Sequence, residues 1–494
     1  MTEPEGGDLK IKVARTLKWN VIDRVASQVL YAVTGIVLAR MLSQEDFGLV
    51  GAILVFQAFA SLFVDSGFSS ALIQRKSPTR LDYSTVLWFN LAIACGLYVV
   101  LFFLAPWIAS VFQGDMRLVP LSRVMFLSFI INASAIVQTN RLMKKMDVKM
   151  IAVSNSLGLV AAAAVGIGLA VAGSGAWAIV WQTITLAGVK SLILWLTSSW
   201  RPLMRFSWSV LRSYFSVGSG VMLMSLLNTV FQNIYSFFIG NRAGLVPLGY
   251  FTQADKWSKM GVMSLSQTLT STFLPLLSGV QDDAERFARI CGKTHRLTSY
   301  LVFPAMGLLS VMATPIFHTL FSTKWDASIT LFQILLLRGV FTVLTLLYSN
   351  FILSLGKSKT LVYSEAFRDI VALLAIVVTL PGISVSTQEN PVAGLEIFLW
   401  GQAAATALTW GVTLLIAVRL TGRGLSQYLL DMVPYVALTA VSLVVPVFLL
   451  SLSLPPLLLC VAQSVIFLIA YLGVNYLFKS RIQHDVLSYI FRRK

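Results

Sequence analysis

KWNVIDRVASQVLYAVTGIVLARMLSQEDFGLVGAILVFQAFASLFVD, residues 18–65, reads as two long apolar runs separated by a short polar break at 42–46. Each run reaches the ~20 residues that a helix needs to cross the hydrocarbon core of a bilayer. The break holds Ser43, Gln44, Glu45 and Asp46, which belong in water. The stretch is therefore a transmembrane helical hairpin, and the same alternation continues along the chain. Of 494 residues, 57% are apolar (about 282) and 12% charged, where a soluble chain carries about 25% charged. That apolar stock fills about 14 spans and leaves little for a water-soluble core. The runs are continuous and do not alternate at every second residue, which excludes a porin-type barrel.

The expected architecture is an all-α integral membrane protein. Its spans fall near 16–41, 47–73, 84–112, 117–139, 149–172, 175–198, 215–240, 247–279, 297–322, 327–355, 359–382, 393–418, 432–452 and 455–478. The charge distribution orients them. The net charge is +17, and with a cytoplasmic N-terminus about 27 Lys and Arg fall in inner segments. The outer connectors hold only Arg40, Arg117, Arg242 and Lys324. This is the positive-inside pattern with both termini cytoplasmic, so the basic excess needs no nucleic acid to explain it. Residues 1–18 are polar and charged, so no signal peptide is read and the first span is expected to target the membrane. A shift of 201 residues lays LARMLSQEDFGLVG over IGNRAGLVPLGYF and aligns Gly48 with Gly249. Spans 1–6 and 7–12 then form two six-helix halves of like orientation. The expected division is 1–200, 201–420, and 421–494 for two additional spans and a tail.

Enzyme chemistry is absent from the pattern. LSLGKS at 353–358 ends like a P-loop, but Phe351 stands where the first glycine must be. His295, His318 and His484 are dispersed, and Cys95, Cys291 and Cys460 lie far apart, so no metal site, disulfide framework or cofactor is expected. Two longer inner connectors, 200–217 and 281–296, look like short amphipathic helices on the cytoplasmic interface, while a plain structural linker is the commoner meaning of such stretches.

Ionisable groups within spans carry the functional signal, because each costs about 2.5–3.5 kcal/mol at mid-bilayer and so faces a cavity or a partner. They are Asp23, Arg24, Asp65, Arg123, Lys190, Asp255, Lys256, Lys259, Arg338, Glu365, Arg368 and Asp369. In the first span Asn20, Arg24, Gln28 and Tyr31 share one helical face, a polar stripe suited to a cavity wall. Asp255 and Lys259 stand four apart, and Glu365 lies within reach of Arg368 and Asp369, so intrahelical ion pairs account for part of each group. Arg24, Lys256, Arg338 and Arg368 are the candidate anion-holding cations, since Arg and Lys coordinate phosphate oxygens. Asn228 and Gln232 join the stripe as candidate polar lining for sugar hydroxyls. Asp65, Asp255, Glu365 and Asp369 are candidate ion-coupling carboxylates.

The opening Trp19-Asn20 span, LARMLSQEDFGLVG, DSGFSSALIQRK from Asp65, RFSWSVLRSYFSVGSG and LGYFTQADK from Leu248 together resemble the Wzx-type polysaccharide flippases. Their superfamily also holds the multidrug and toxin extrusion transporters and the lipid II flippase. The resemblance covers most of the chain, with 14 spans as in the longer members. It implies two six-helix lobes around a central, often cationic cavity, with spans 13 and 14 beside the lipid tail. It further implies transport of undecaprenyl-pyrophosphate-linked oligosaccharide from the cytoplasmic to the periplasmic leaflet of a bacterial inner membrane, for polysaccharide biosynthesis. Movement would be by alternating access, coupled to an ion gradient or the membrane potential. The partners implied are that lipid-linked glycan, the bilayer, a polysaccharide polymerase and glycosyltransferases, with the chain itself a monomer. The alternatives are a cation-coupled multidrug exporter, which would favour acids in the cavity, and a membrane polysaccharide polymerase, which would carry a large outer loop.

Overall fold

Apolar runs without internal turn signals become helices, and the polar breaks between them become tight connectors. The computed structural model describes residues 6–65, 68–383, 391–452, 454–478, 480 and 482–484, with the side chains of 6–15, 17, 65, 70, 215–224 and 227 outside that description. Its helices are α1 Gly6–Met41, α2 Gln44–Asp65, α3 Phe68–Gln74, α4 Arg80–Val111, α5 Leu118–Met125, α6 Leu127–Lys144, α7 Val148–Val171 and α8 Trp177–Thr197. They continue as α9 Trp208–Arg242, α10 Leu245–Ser278, α11 Ala284–Val311, α12 Ala313–Leu320, α13 Ala327–Ser354, α14 Ser358–Thr379, α15 Leu395–Thr421, α16 Leu425–Phe448 and α17 Pro456–Leu477. No strand occurs among the described residues. The all-α membrane reading holds.

Ten helices among the described residues are long and apolar enough to cross a membrane, and α11 with α12, bent by 60°, makes an eleventh. The expected fourteen is not reached on that measure. Three expected spans, α9, α10 and α14, fall outside that set. The α9 helix has the side chains of 215–224 and 227 outside the description. α14 carries Glu365, Arg368 and Asp369, and α10 carries Asp255, Lys256 and Lys259 followed by a Ser- and Thr-rich half. α14 and α10 are long enough to cross, at 22 and 34 residues, but neither is uniformly apolar.

The chain divides into two compact units, Met1–Gly249 and Tyr250–Lys494. In the first, α1 packs on α7, α7 on α8, α4 on α6 and α2 on α9. Basic residues at the connectors cap helix ends. Lys144 Nζ donates to the carbonyl of Ile73 at 3.0 Å and to that of Arg75, at the end of α3, where a cation suits the helix dipole. Arg80 Nε reaches the Arg201 carbonyl at 3.0 Å, and Arg141 lies over the rings of Tyr83 and Trp200. Thr79 and Asp82 form a capping box that starts α4.

The two longer connectors run directly into long helices, as linkers do, and the amphipathic-helix reading of them does not hold. Residues 208–217 begin α9 and residues 284–296 begin α11, so each is the first part of a long helix and not a separate helix on the interface. Part of their apolar surface is buried against protein, although Met204, Phe206 and Trp208 are exposed. Trp200, Leu211 and Tyr214 pack with Phe68, Leu72, Val86, Leu87 and Val137, while Phe287 is buried in the second unit.

Two glycines permit an unusually close approach. A Cβ on Gly48 would lie 1.8 Å from the Leu245 carbonyl oxygen, and one on Gly249 would lie 1.9 Å from that of Gln44. Gln44 and Leu245 are themselves 201 residues apart, like the two glycines. The start of α2 and the start of α10 therefore meet reciprocally, backbone to backbone, at positions 201 residues apart.

In the second unit α13 packs on α15, α14 on α15, α11 on α16 and α16 on α17. Tyr300, Tyr435, Phe467 and Tyr471 form the core between α11, α16 and α17, where Tyr471 Oη donates to the Tyr300 carbonyl at 2.9 Å. At one end of this bundle Asp431 accepts from Arg296 at 3.0 Å and from Arg423 at 2.7 Å. Beside them buried His295 meets the Tyr428 carbonyl at 3.1 Å and Tyr348 Oη at 3.3 Å.

Candidate functional site

α1 has two polar faces with different fates. Asp23 Oδ1 accepts from Asn155 Nδ2 at 3.1 Å and from Ser27 Oγ at 3.3 Å, and Asn155 also donates to Ser27 at 2.9 Å. These bonds hold α1 to α7. With that face pinned, the stripe turns away from the unit: Asn20, Arg24 and Tyr31 are exposed and Gln28 is half-buried. Arg24 makes no hydrogen bond or ion pair among the described residues, so its guanidinium retains a full set of donors.

Along α9, Asn228 and Gln232 are both exposed and joined by a 3.2 Å hydrogen bond. In α10, Asp255 pairs with Lys259 at 2.6 Å, while Lys256 is exposed with its Nζ 5.5 Å from the Trp257 ring centre. Arg338 is half-buried in α13. The α14 group is different in sign. Arg368 bonds Glu365 through Nη1 and Asp369 through Nη2 at 2.9 Å, so two carboxylates flank one cation. The formal sum there is −1, opposite in sign to what holding an anion requires. Asp65, the remaining candidate, has its side chain outside the described residues.

Sequence reasoning placed these groups on helices but could not choose their partners. Arg123 is engaged locally: its Nε donates to the Phe102 carbonyl at 3.2 Å, and its guanidinium lies 4.1 Å from the Phe102 ring centre. Lys190 instead lines a pocket of about 270 Å³ between α3, α6 and α8. A second pocket, of about 240 Å³, lies between α11, α13 and α16. Its wall is mostly apolar, with Phe303, Met306, Leu337, Val340, Val436 and Leu443, and its Gln333 amide is bonded to the Ser310 carbonyl at 2.9 Å.

Comparison with known proteins adds an independent line. The sequence profile of a family described as "Polysaccharide biosynthesis protein" matches residues 37–330. The lipopolysaccharide biosynthesis protein WzxC of Escherichia coli (strain K12) is 25% identical over 67% of this chain and 68% of its own length. The succinoglycan biosynthesis transport protein ExoT of Rhizobium meliloti (strain 1021) is 24% identical over 67% of each chain. Among solved structures, the lipid II flippase MurJ in an inward closed conformation superposes with a TM-score of 0.73 at 14% identity, over 94% of this chain and 100% of that one. The last likeness concerns the fold. With the profile matched over more than half of its length, this multi-pass membrane chain belongs to the polysaccharide biosynthesis protein family.

Proposed function

We propose that the chain is a flippase that carries undecaprenyl-pyrophosphate-linked oligosaccharide repeat units from the cytoplasmic to the periplasmic leaflet of a bacterial inner membrane. The observation that carries this reading is the α1 stripe: an exposed, uncompensated Arg24 flanked by Asn20, Gln28 and Tyr31 within a span of the described residues. A bare guanidinium at that depth is costly unless water or an anion reaches it, and a diphosphate with attached hydroxyls meets both its charge and its neighbouring amides. Lys256 and Arg338 extend the cationic set, and Asn228 and Gln232 the amides. The family relatives named for polysaccharide biosynthesis and transport support the same substrate class.

On this reading the two six-helix lobes alternate access around the headgroup, driven by an ion gradient or the membrane potential, with both termini cytoplasmic. The lipid tail stays in the bilayer, and the apolar α11/α13/α16 pocket suits an isoprenoid segment, because α16 is the first of the two additional spans. Glycosyltransferases act before the transfer and a polymerase after it, and the chain works as a monomer. A cation-coupled drug exporter is disfavoured by one observation: Asp255, Glu365 and Asp369 are all engaged by basic residues of their own helices.

Arg24→Ala and Arg338→Ala are each expected to lower surface polysaccharide at least tenfold at normal protein abundance. Lipid-linked repeat units should accumulate on the inner leaflet. Quantitative immunoblotting of the glycan, with extraction of the lipid-linked pool, checks this. Full export by both variants would remove the basis of the proposal.

A further inference from the structure

The pocket between α3, α6 and α8 lies wholly within the first unit, and none of its lining residues comes from α1. Its polar lining comprises Ser69, Asn132, Thr139, Asn140, Lys190 and Ser191, with no carboxylate. Asn132, Thr139 and Asn140 lie on one face of α6 over about 12 Å of helix rise, and Lys190 and Ser191 close the pocket from α8.

Several of these groups satisfy one another. Asn140 Nδ2 donates to Ser69 Oγ at 2.8 Å, Ser191 pairs with Ser134 at 2.8 Å, and Thr139 Oγ1 donates to the Ala135 carbonyl at 3.0 Å. Two groups do not. Asn132 is exposed at the pocket and makes no hydrogen bond among the described residues, and the Lys190 ammonium has neither hydrogen bond nor ion pair there. Asp23 attracts Lys190 electrostatically but forms no salt bridge with it, and its Oδ1 already accepts from Asn155 and Ser27. A cation left bare within a span is costly unless water or an anion reaches it. One ammonium balances one carboxylate or phosphate, while the adjoining amides and hydroxyls suit a hydroxylated ring.

We propose that this pocket recognises a single anionic oxygen group, carboxylate or phosphate, carried on a sugar of the transported headgroup. The proposal deepens the flippase reading and rests on it. The pocket would give the protein a preference for acidic over neutral glycans, separate from the diphosphate contact at the α1 stripe.

The test uses the full-length protein in phosphatidylcholine nanodiscs with two synthetic probes. One is an undecaprenyl-pyrophosphate-linked disaccharide bearing a hexuronic acid, and the other is the same lipid bearing two neutral hexoses. Lys190→Gln is expected to weaken binding of the acidic probe about tenfold and leave the neutral probe unchanged, with Lys190→Arg restoring most of the loss. Asn132→Leu, which keeps the charge, should weaken both probes about threefold. Unfolding temperatures of all three variants verify that the fold is retained. If wild-type protein binds both probes and Lys190→Gln binds the acidic one equally well, the pocket proposal is overturned and the flippase reading stands. If wild-type protein binds neither probe, the flippase reading itself fails. If the effect of Lys190→Gln appears only when phosphatidylglycerol replaces phosphatidylcholine, the anion belongs to bulk lipid and the glycan assignment is overturned.

Discussion

Gly48→Leu is expected to destabilise the protein by about 3 kcal/mol, the upper part of the range for overpacking a filled interior. The neighbour that a Cβ at this position would strike is the Leu245 carbonyl, with its oxygen at 1.8 Å and its carbon at 2.6 Å. Backbone has no alternative rotamer, so relief demands that α2 and α10 separate at their starts. Gly249→Leu should give the same loss, because its Cβ would meet the Gln44 carbonyl oxygen at 1.9 Å and the Gly48 nitrogen at 3.2 Å. The double variant should be little worse than either single one, since parting the helices once relieves both clashes. Against a total stability of about 5–15 kcal/mol, such a change lowers the folded yield visibly. Thermal unfolding of detergent-purified protein, with monodispersity by size exclusion, measures it. Unchanged unfolding temperatures would show that the two helices do not meet as described.

The second large effect is expected at Asp431. Its carboxylate bridges Arg296 and Arg423, and the side chains are only 16%, 28% and 17% exposed respectively. Arg423 fits because Gly292 has no side chain: a Cβ there would lie 2.0 Å from Nη1. Asp431→Ala leaves two largely buried guanidiniums facing each other without their shared acceptor, at a cost of about 3 kcal/mol. The loss should fall on the attachment of α16 to α11, since Asp431 is on α16 and Arg296 on α11. Two controls separate charge from packing. Asp431→Asn keeps an acceptor oxygen and should cost less. Replacing all three residues with Leu or Met should recover most of the stability, because no uncompensated charge then remains. Proteolysis rates at the 421–425 connector, followed with unfolding temperature, report the outcome.

Much of the architecture was legible because long apolar runs in a bilayer leave helices as the only structure that satisfies the backbone. The 201-residue shift, faint in sequence, aligned Gly48 with Gly249, and the close approach of both to backbone was not legible from it. The amphipathic connectors misled because a helix resting on lipid head groups and a helix resting on Phe68, Leu72 and Val86 show the same periodicity. Periodicity reports that one face is apolar and not what covers it. Ion pairing was half-legible. Spacing brought Arg368 within reach of Glu365 and Asp369, but only the side-chain geometry has it engaged by both. The Lys190 pocket was not legible, because its walls come from three helices well apart in the sequence. Lys190 stood out as a charge in a span, yet nothing in its own helix announced Asn132 or Asn140.

The central claim is that this chain moves a phosphorylated lipid headgroup across the bilayer. Reconstitution into liposomes with a fluorescent undecaprenyl-pyrophosphate-linked oligosaccharide tests it directly, with transfer read as loss of protection from a membrane-impermeant quencher. The account predicts protein-dependent transfer that falls at least tenfold in Arg24→Ala and is absent for a cationic dye. Transfer no faster than in protein-free liposomes, or export of the dye in place of the glycolipid, would contradict it.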